Sequence, residues 1–211
     1  MHMPVRKKLV TKLFKEKELL YVEDFYNYET RKKVVVFVPE EFVNKLRENL
    51  ADAGAGQIGN YEKCSFKTSG TGTFKPNKGS KPLTGKKNIL NYAEEVKLEM
   101  ECSSEQINKV VTALLKNHPY DEIAYEIYDF KKRHKEPIGS LIILRTKITL
   151  AELFIRVSKK KLKDEFSLMQ DFKRLALVNS EPDQTVVESA KLINCNCIIT
   201  PVKNNFKFII I

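Results

Sequence analysis

Seven of the chain's eight glycines lie between Gly54 and Gly85, in the stretch "GAGQIGNYEKCSFKTSGTGTFKPNKGSKPLTG". Such a stretch serves as a phosphate cradle, as a flexible linker, or as turns and close backbone approaches inside a fold. A phosphate loop leads from a strand into a helix and ends in Gly-Lys-Ser/Thr. Here "SGTGTF" (69–74) runs into "KPNKGSKP" (75–82), whose prolines oppose a helix. The context favours a tight turn, a hairpin and a long glycine–proline loop belonging to a folded domain.

The flanks carry complementary patterns. "KVVVFV" (33–38) is continuous and β-branched, as a buried strand is. Pro39 then suits a first helical turn, Glu40 and Glu41 suit a helix N-terminus, and Phe42, Val43, Leu46 and Leu50 form one stripe that Gly54 ends. In "EVKLEMEC", Val96, Leu98 and Met100 alternate with charged residues, predicting a half-buried strand. Ser103 and Gln106 are spaced as a capping box for a helix carrying Ile107, Val110, Val111, Leu114 and Leu115. "HPY" stops that helix, and "IAYEIYDF" (123–130) reads as a last strand. The order strand–helix–strand–strand–helix–strand over 33–130 predicts an α+β fold class, a ferredoxin-like sandwich with helices on one sheet face.

Residues 131–211 read as a partial α/β segment. A helix is expected over 148–161 with Thr149 as cap. "FKRLALVNS" reads as a strand, "DQTVVESAKLIN" as a helix and "CNCIITPV" as a strand, with "FKFIII" a candidate third. Residues 1–32 are expected to stand apart as an N-terminal segment. The expected organisation is therefore 1–32, 33–130 and 131–211.

The net charge of +10 is uneven. It is concentrated behind residue 130, where "KKRHK" (131–135) and "KKKLK" (159–163) lie. Such runs meet phosphates, or else form solvated helix ends and loops; no aromatic interleaving marks a single-strand binding surface. The four cysteines, Cys64, Cys102, Cys195 and Cys197, lack zinc-knuckle spacing and read as reduced structural thiols. No apolar run reaches the roughly 20 residues of a membrane span, and the start lacks a signal-peptide core, so the cytoplasm is the expected compartment.

Three stretches together, "VFVPEEFVNKLRENLADAGAGQIGNYEKCSFKTSGTGTFKPNKGSKP", "EEVKLEMEC" and "HPYDEIAYEIYDF", resemble the inserted domain of the Nif-three-like family. Members are named as GTP cyclohydrolase type II homologues or dinuclear-metal hydrolases. The resemblance covers about 33–130 and implies a PII-like or CutA-like ferredoxin fold there. It implies a homo-oligomer, trimer or hexamer. Residues 140–203 resemble more weakly the family's C-terminal metal-domain half. Family members bind two divalent metals between their N- and C-terminal halves. Here no His-His-Pro motif precedes the insert, "NSEPD" (179–183) replaces a glycine-rich turn, and "TPVKNNF" (200–206) replaces the Gly-Asp and Lys-Tyr-His positions. The distal His and Glu ligands would fall beyond Ile211. No metal ligand and no catalytic residue maps onto this sequence, and no cofactor is expected.

Three functions follow as expectations. The first is a degenerate family member whose PII-like domain serves oligomerisation or small-ligand binding. The second is a metal-dependent hydrolase completed by another chain. The third is a weak, sequence-independent nucleic-acid contact through the basic tail. For a ligand, "HPYDE" is the leading site: His118 titrates near neutrality, with Tyr120, Asp121 and Glu122 beside it. Tyr61, Ser65 and Thr73, beside the glycines, are further candidates. The same residues also suit plain structural work, with Pro119 ending the helix, Tyr120 packing and His118 capping carbonyls.

Overall fold

The computed structural model describes residues 7–158, 170–202 and 205–211. Two units emerge, one spanning Thr30–Lys132 and the other formed by Met1–Glu29 with Arg133–Ile211. Among the described residues no helix is long and apolar enough to cross a membrane.

The Thr30–Lys132 unit is built from the ends of two long strands, β1 (Leu19–Val38) and β4 (Tyr125–Thr149), with α2 (Glu40–Asp52), β2 (Phe66–Phe74), β3 (Asn91–Ser103) and α3 (Ile107–Asn117) between them; α1 is Lys7–Leu13. Its strand order is β2-β3-β1-β4, the ferredoxin-like arrangement expected from the sequence. Antiparallel register aligns Val34 with Met100, Val36 with Leu98 and Val38 with Val96, so the β-branched run and the alternating strand point to the same side. Against that face pack Val43, Leu46 and Leu50 of α2 and Val110 and Leu114 of α3. Each such fully buried side chain contributes about 1.5–3 kcal/mol.

α2 ends as its glycine predicts. Gly54 takes a φ of +106°, its N–H reaches Ala51 O, and the Ala55 N–H reaches Leu50 O, which closes the last turn.

Several local expectations change. Pro39 stands one position before α2. The Ser103–Gln106 capping box does not form, because β3 runs on to Ser103 and α3 begins at Ile107 without a side-chain cap. Leu115, assigned to the apolar stripe, is exposed. By contrast, the expected hairpin with its long glycine–proline loop does form: Gly70 and Gly72 lie within β2, paired with Glu95 and Ala93, and the loop 75–90 leads into β3.

In the second unit the order is β1-β4-β5-β6-β7, with β5 Asp171–Val178, β6 Cys197–Val202 and β7 Asn205–Ile210. β5 and β6 are parallel, joined across α5 (Gln184–Leu192), and β6 and β7 form an antiparallel pair. Val10, Leu13 and Phe14 of the leading segment pack with Ile142, Leu144, Leu153 and Phe172 in one core. Residues 7–29 therefore fold with the trailing segment rather than standing apart as 1–32; apolar burial draws them in. The helix expected over 148–161 is α4 (Leu150–Ser158), where Thr149 Oγ1 accepts from Glu152 N at 3.2 Å and Glu152 Oε2 accepts from Thr149 N at 2.8 Å.

The run 131–135 is exposed apart from Lys132, as a solvated run is, but it lies in a strand rather than a loop. It continues β4, which passes through Phe130 without a break. Lys131 donates to Thr30 Oγ1 and Lys132 pairs with Glu101, while Arg133 lies 4.1 Å over the Tyr26 ring. Residues 159–163 lie outside the described residues. All four cysteines are free thiols, and burial pushes those of Cys195 and Cys197 up to about 12.

Candidate ligand cavity

α3 closes at Asn117, and His118 leaves it with extended backbone while its N–H still reaches Leu114 O. That reversal carries the imidazole inward, where it is 8% exposed. Nδ1 accepts from the Tyr120 N–H at 3.2 Å, which leaves Nε2 to donate to Phe37 O at 3.0 Å. Both ring nitrogens are thus engaged in the fold. Burial pushes the His118 pKa below its usual value and outweighs the raising effect of the Phe37 carbonyl. A histidine spent in this way orients the turn, with the Tyr120 ring edge-on at 5.0 Å, rather than reaching for a ligand.

Beyond the turn lies a cavity of about 280 Å³. One wall is the end of β2 (Gly72, Thr73, Phe74), another is the loop at Pro76, Ser80 and Leu83, and the floor is the turn with Glu95 beneath it. The loop is pinned on all sides. Asp121 Oδ2 accepts from Lys81 N at 2.8 Å, tying loop to turn. Asn91 Oδ1 accepts from Lys86 N, and its Nδ2 donates to Lys86 O and Ile89 O, while Asn88 N reaches Pro76 O at 2.7 Å.

Tyr120 and Glu95 both line the cavity. Burial, and then the neighbouring Glu95 carboxylate, push the Tyr120 pKa up, so the phenol stays neutral. Gly72 makes room for the glutamate: a Cβ there would press into Oε2 of Glu95. The absence of a side chain on β2 thus lets the glutamate lie across the strand.

Of the seven residues singled out from the sequence, Thr73, Tyr120, Asp121 and Glu122 meet at this cavity, and His118 stands behind Tyr120. Tyr61 and Ser65 do not join them. Tyr61 is 75% exposed and forms an isolated bridge with Ile58, and Ser65 is exposed just before β2. Glu95 and Gly72 were not foreseen. Their only signal was a Glu-Glu pair and a bare Gly-Thr strand in neighbouring segments, and bringing them together requires the β2–β3 register. Among the described residues no group of three or more His, Cys, Asp or Glu is placed to hold a metal ion.

No protein-family model matches the chain. The chain is 44% identical over 128 residues to a GTP cyclohydrolase 1 type 2 homologue of Halalkalibacterium halodurans, covering 60% of this chain and 34% of that protein. It is 38% identical over 130 residues to the protein of the same name in Bacillus subtilis, covering 61% and 35%. A solved Bacillus cereus protein related to NIF3 aligns at 28% identity and a TM-score of 0.46, covering 92% of this chain and 51% of that one. The chain spans about a third of the length of these two curated relatives. Over the part it shares with them, this chain is homologous to the Nif-three-like proteins named GTP cyclohydrolase 1 type 2 homologues.

Proposed function

We propose that the Thr30–Lys132 unit is a small-ligand-binding domain with no catalytic residues of its own. The observation that carries this reading is the cavity under the loop 75–90, which joins apolar walls to a few converging polar groups, the usual make-up of a ligand site. The loop's anchors at Asp121 and Asn91 favour a site largely formed before the ligand arrives. The relatives' names point to a cyclohydrolase. Acting on GTP here would bring a triphosphate against Glu95, Asp121 and Glu122, which repel it. A metal-dependent hydrolase completed by a second chain is less favoured, because among the described residues no group of three or more His, Cys, Asp or Glu is placed to hold a metal ion.

The test is amide chemical-shift mapping of the isotopically labelled full chain against a set of small apolar fragments. Shifts gathered on residues 72–76, 80–84 and 120–124 are expected. Shifts that are absent up to millimolar fragment, or that gather elsewhere, refute the reading.

A second reading is favoured by one feature. β2 is the outer strand of this unit, nine residues without proline and with Lys67 as its only charge, and six of its first seven residues are exposed. Such an unguarded edge invites pairing with the same strand of a second copy. Self-association predicts a solution mass that is a multiple of 24.4 kDa, and a single-chain mass at high micromolar concentration would remove it.

A further inference from the structure

We infer that the ligand of this cavity carries a positively charged nitrogen, an ammonium or a guanidinium, on a compact apolar body. The inference rests on the ligand-binding reading above and adds the ligand's charge.

The charged groups on the cavity wall are three carboxylates, Glu95, Asp121 and Glu122, against one ammonium, Lys75. Ser80 donates its hydroxyl to Asn77 O at 2.8 Å, which leaves that oxygen only lone pairs to offer. Glu95 has two oxygens and about four lone-pair sites. Asp121 gives one oxygen to the Lys81 N–H and keeps the other.

A ligand that supplies donors and positive charge satisfies all of these at once. A phosphate or carboxylate ligand would meet like charge and too few donors, and burying an unpaired anion is costly. The walls at Phe74, Pro76, Pro82 and Leu83 are apolar, which lowers the local dielectric and strengthens a carboxylate–ammonium pair. At about 280 Å³ the cavity sits just below the usual range for drug-sized ligands, which sets the compact size.

The experiment is calorimetric titration of the intact chain with three probes sharing one apolar body: cyclohexylmethylamine, cyclohexylmethanol and cyclohexanecarboxylate. The amine is expected to bind at least about tenfold more tightly than the alcohol, a difference of ~1.4 kcal/mol, and the carboxylate not at all. Glu95→Gln keeps the shape and removes the charge. It should weaken the amine about tenfold and leave the alcohol unchanged, with a wild-type-like urea midpoint showing that the fold is intact. Alcohol or carboxylate binding as tightly as the amine, or an amine affinity indifferent to Glu95→Gln, overturns the charge assignment while the cavity reading stands. If none of the probes binds, both fall.

Discussion

Gly72→Ala separates the site from the fold. The φ of Gly72 lies outside the left-handed region, so an alanine meets no backbone strain there. Its methyl would press into Oε2 of Glu95 and stand 3.2 Å from the carboxyl carbon, while the nearest backbone atom, Ala93 O, is 3.8 Å away. Only the glutamate side chain has to move. Pushing a packed side chain aside costs about 1–3 kcal/mol, and a flexible carboxylate belongs in the lower half of that range, about 1.5 kcal/mol. Replacing glycine where the backbone tolerates it returns about 0.4–1 kcal/mol by restricting the unfolded chain. The net expectation is a loss of about 0.5–1 kcal/mol, and ~0.4 M in the urea midpoint at a slope near 2 kcal/mol per molar. Gly70→Ala is the control. It lies two residues earlier on the same strand, has nothing within 4 Å of its Cβ, and should be neutral or slightly stabilising. Urea unfolding measures the first difference and cyclohexylmethylamine titration the second, where only Gly72→Ala should lose affinity. Identical behaviour of the two variants in both assays would refute the role given to Glu95.

His118 gives a pH signature. Its pKa is lowered by burial from an ordinary 6.5, so the unfolded chain takes up the proton first as pH falls. Its contribution to stability is complete above about pH 6.5 and is lost on acidification through the folded-state pKa. The urea midpoint should therefore fall between about pH 7 and 5, and His118→Gln should flatten that fall; an equal slope in the variant contradicts the linkage. Gly139 sits where a Cβ would collide with the Leu177 carbonyl, 2.9 Å from its carbon, across the β4–β5 ladder. Gly139→Ala should cost about 1–3 kcal/mol in urea unfolding, and a cost below ~0.5 kcal/mol would mean that the ladder is looser than described. Elemental analysis of purified chain should find no stoichiometric transition metal; two per chain would return the hydrolase reading.

Much of the ferredoxin-like unit was legible because its signals are local. The run 33–38, the alternation at Val96–Met100 and the spacing of Val43, Leu46 and Leu50 each fix a period and a buried face. The ends of β1 and β4 were not legible. Residues 19–33 of β1 are mostly half-buried without clean alternation, so the period-two signal is smeared. The charges of 131–135 are largely exposed, as they read, but their place in a strand beside Thr30, Glu101 and Tyr26 depends on other segments of the chain. The candidate site was half legible for the same reason. "HPYDE" advertises a turn with titratable groups, and that turn does line the cavity. Its carboxylate partner comes from β3 and its open space from a glycine on β2, and only strand register brings these together. Tyr61 and Ser65 were chosen for lying near glycines in sequence, which does not bring them near the cavity in space.

A crystal of the chain soaked with cyclohexylmethylamine would show where the cation sits. Density for the probe between the loop 75–90 and the 118–122 turn, its nitrogen within hydrogen-bond distance of Glu95 and its ring against Pro82 and Leu83, is the predicted result. An empty cavity beside a probe bound elsewhere, or a cavity closed by collapse of the loop, would contradict it.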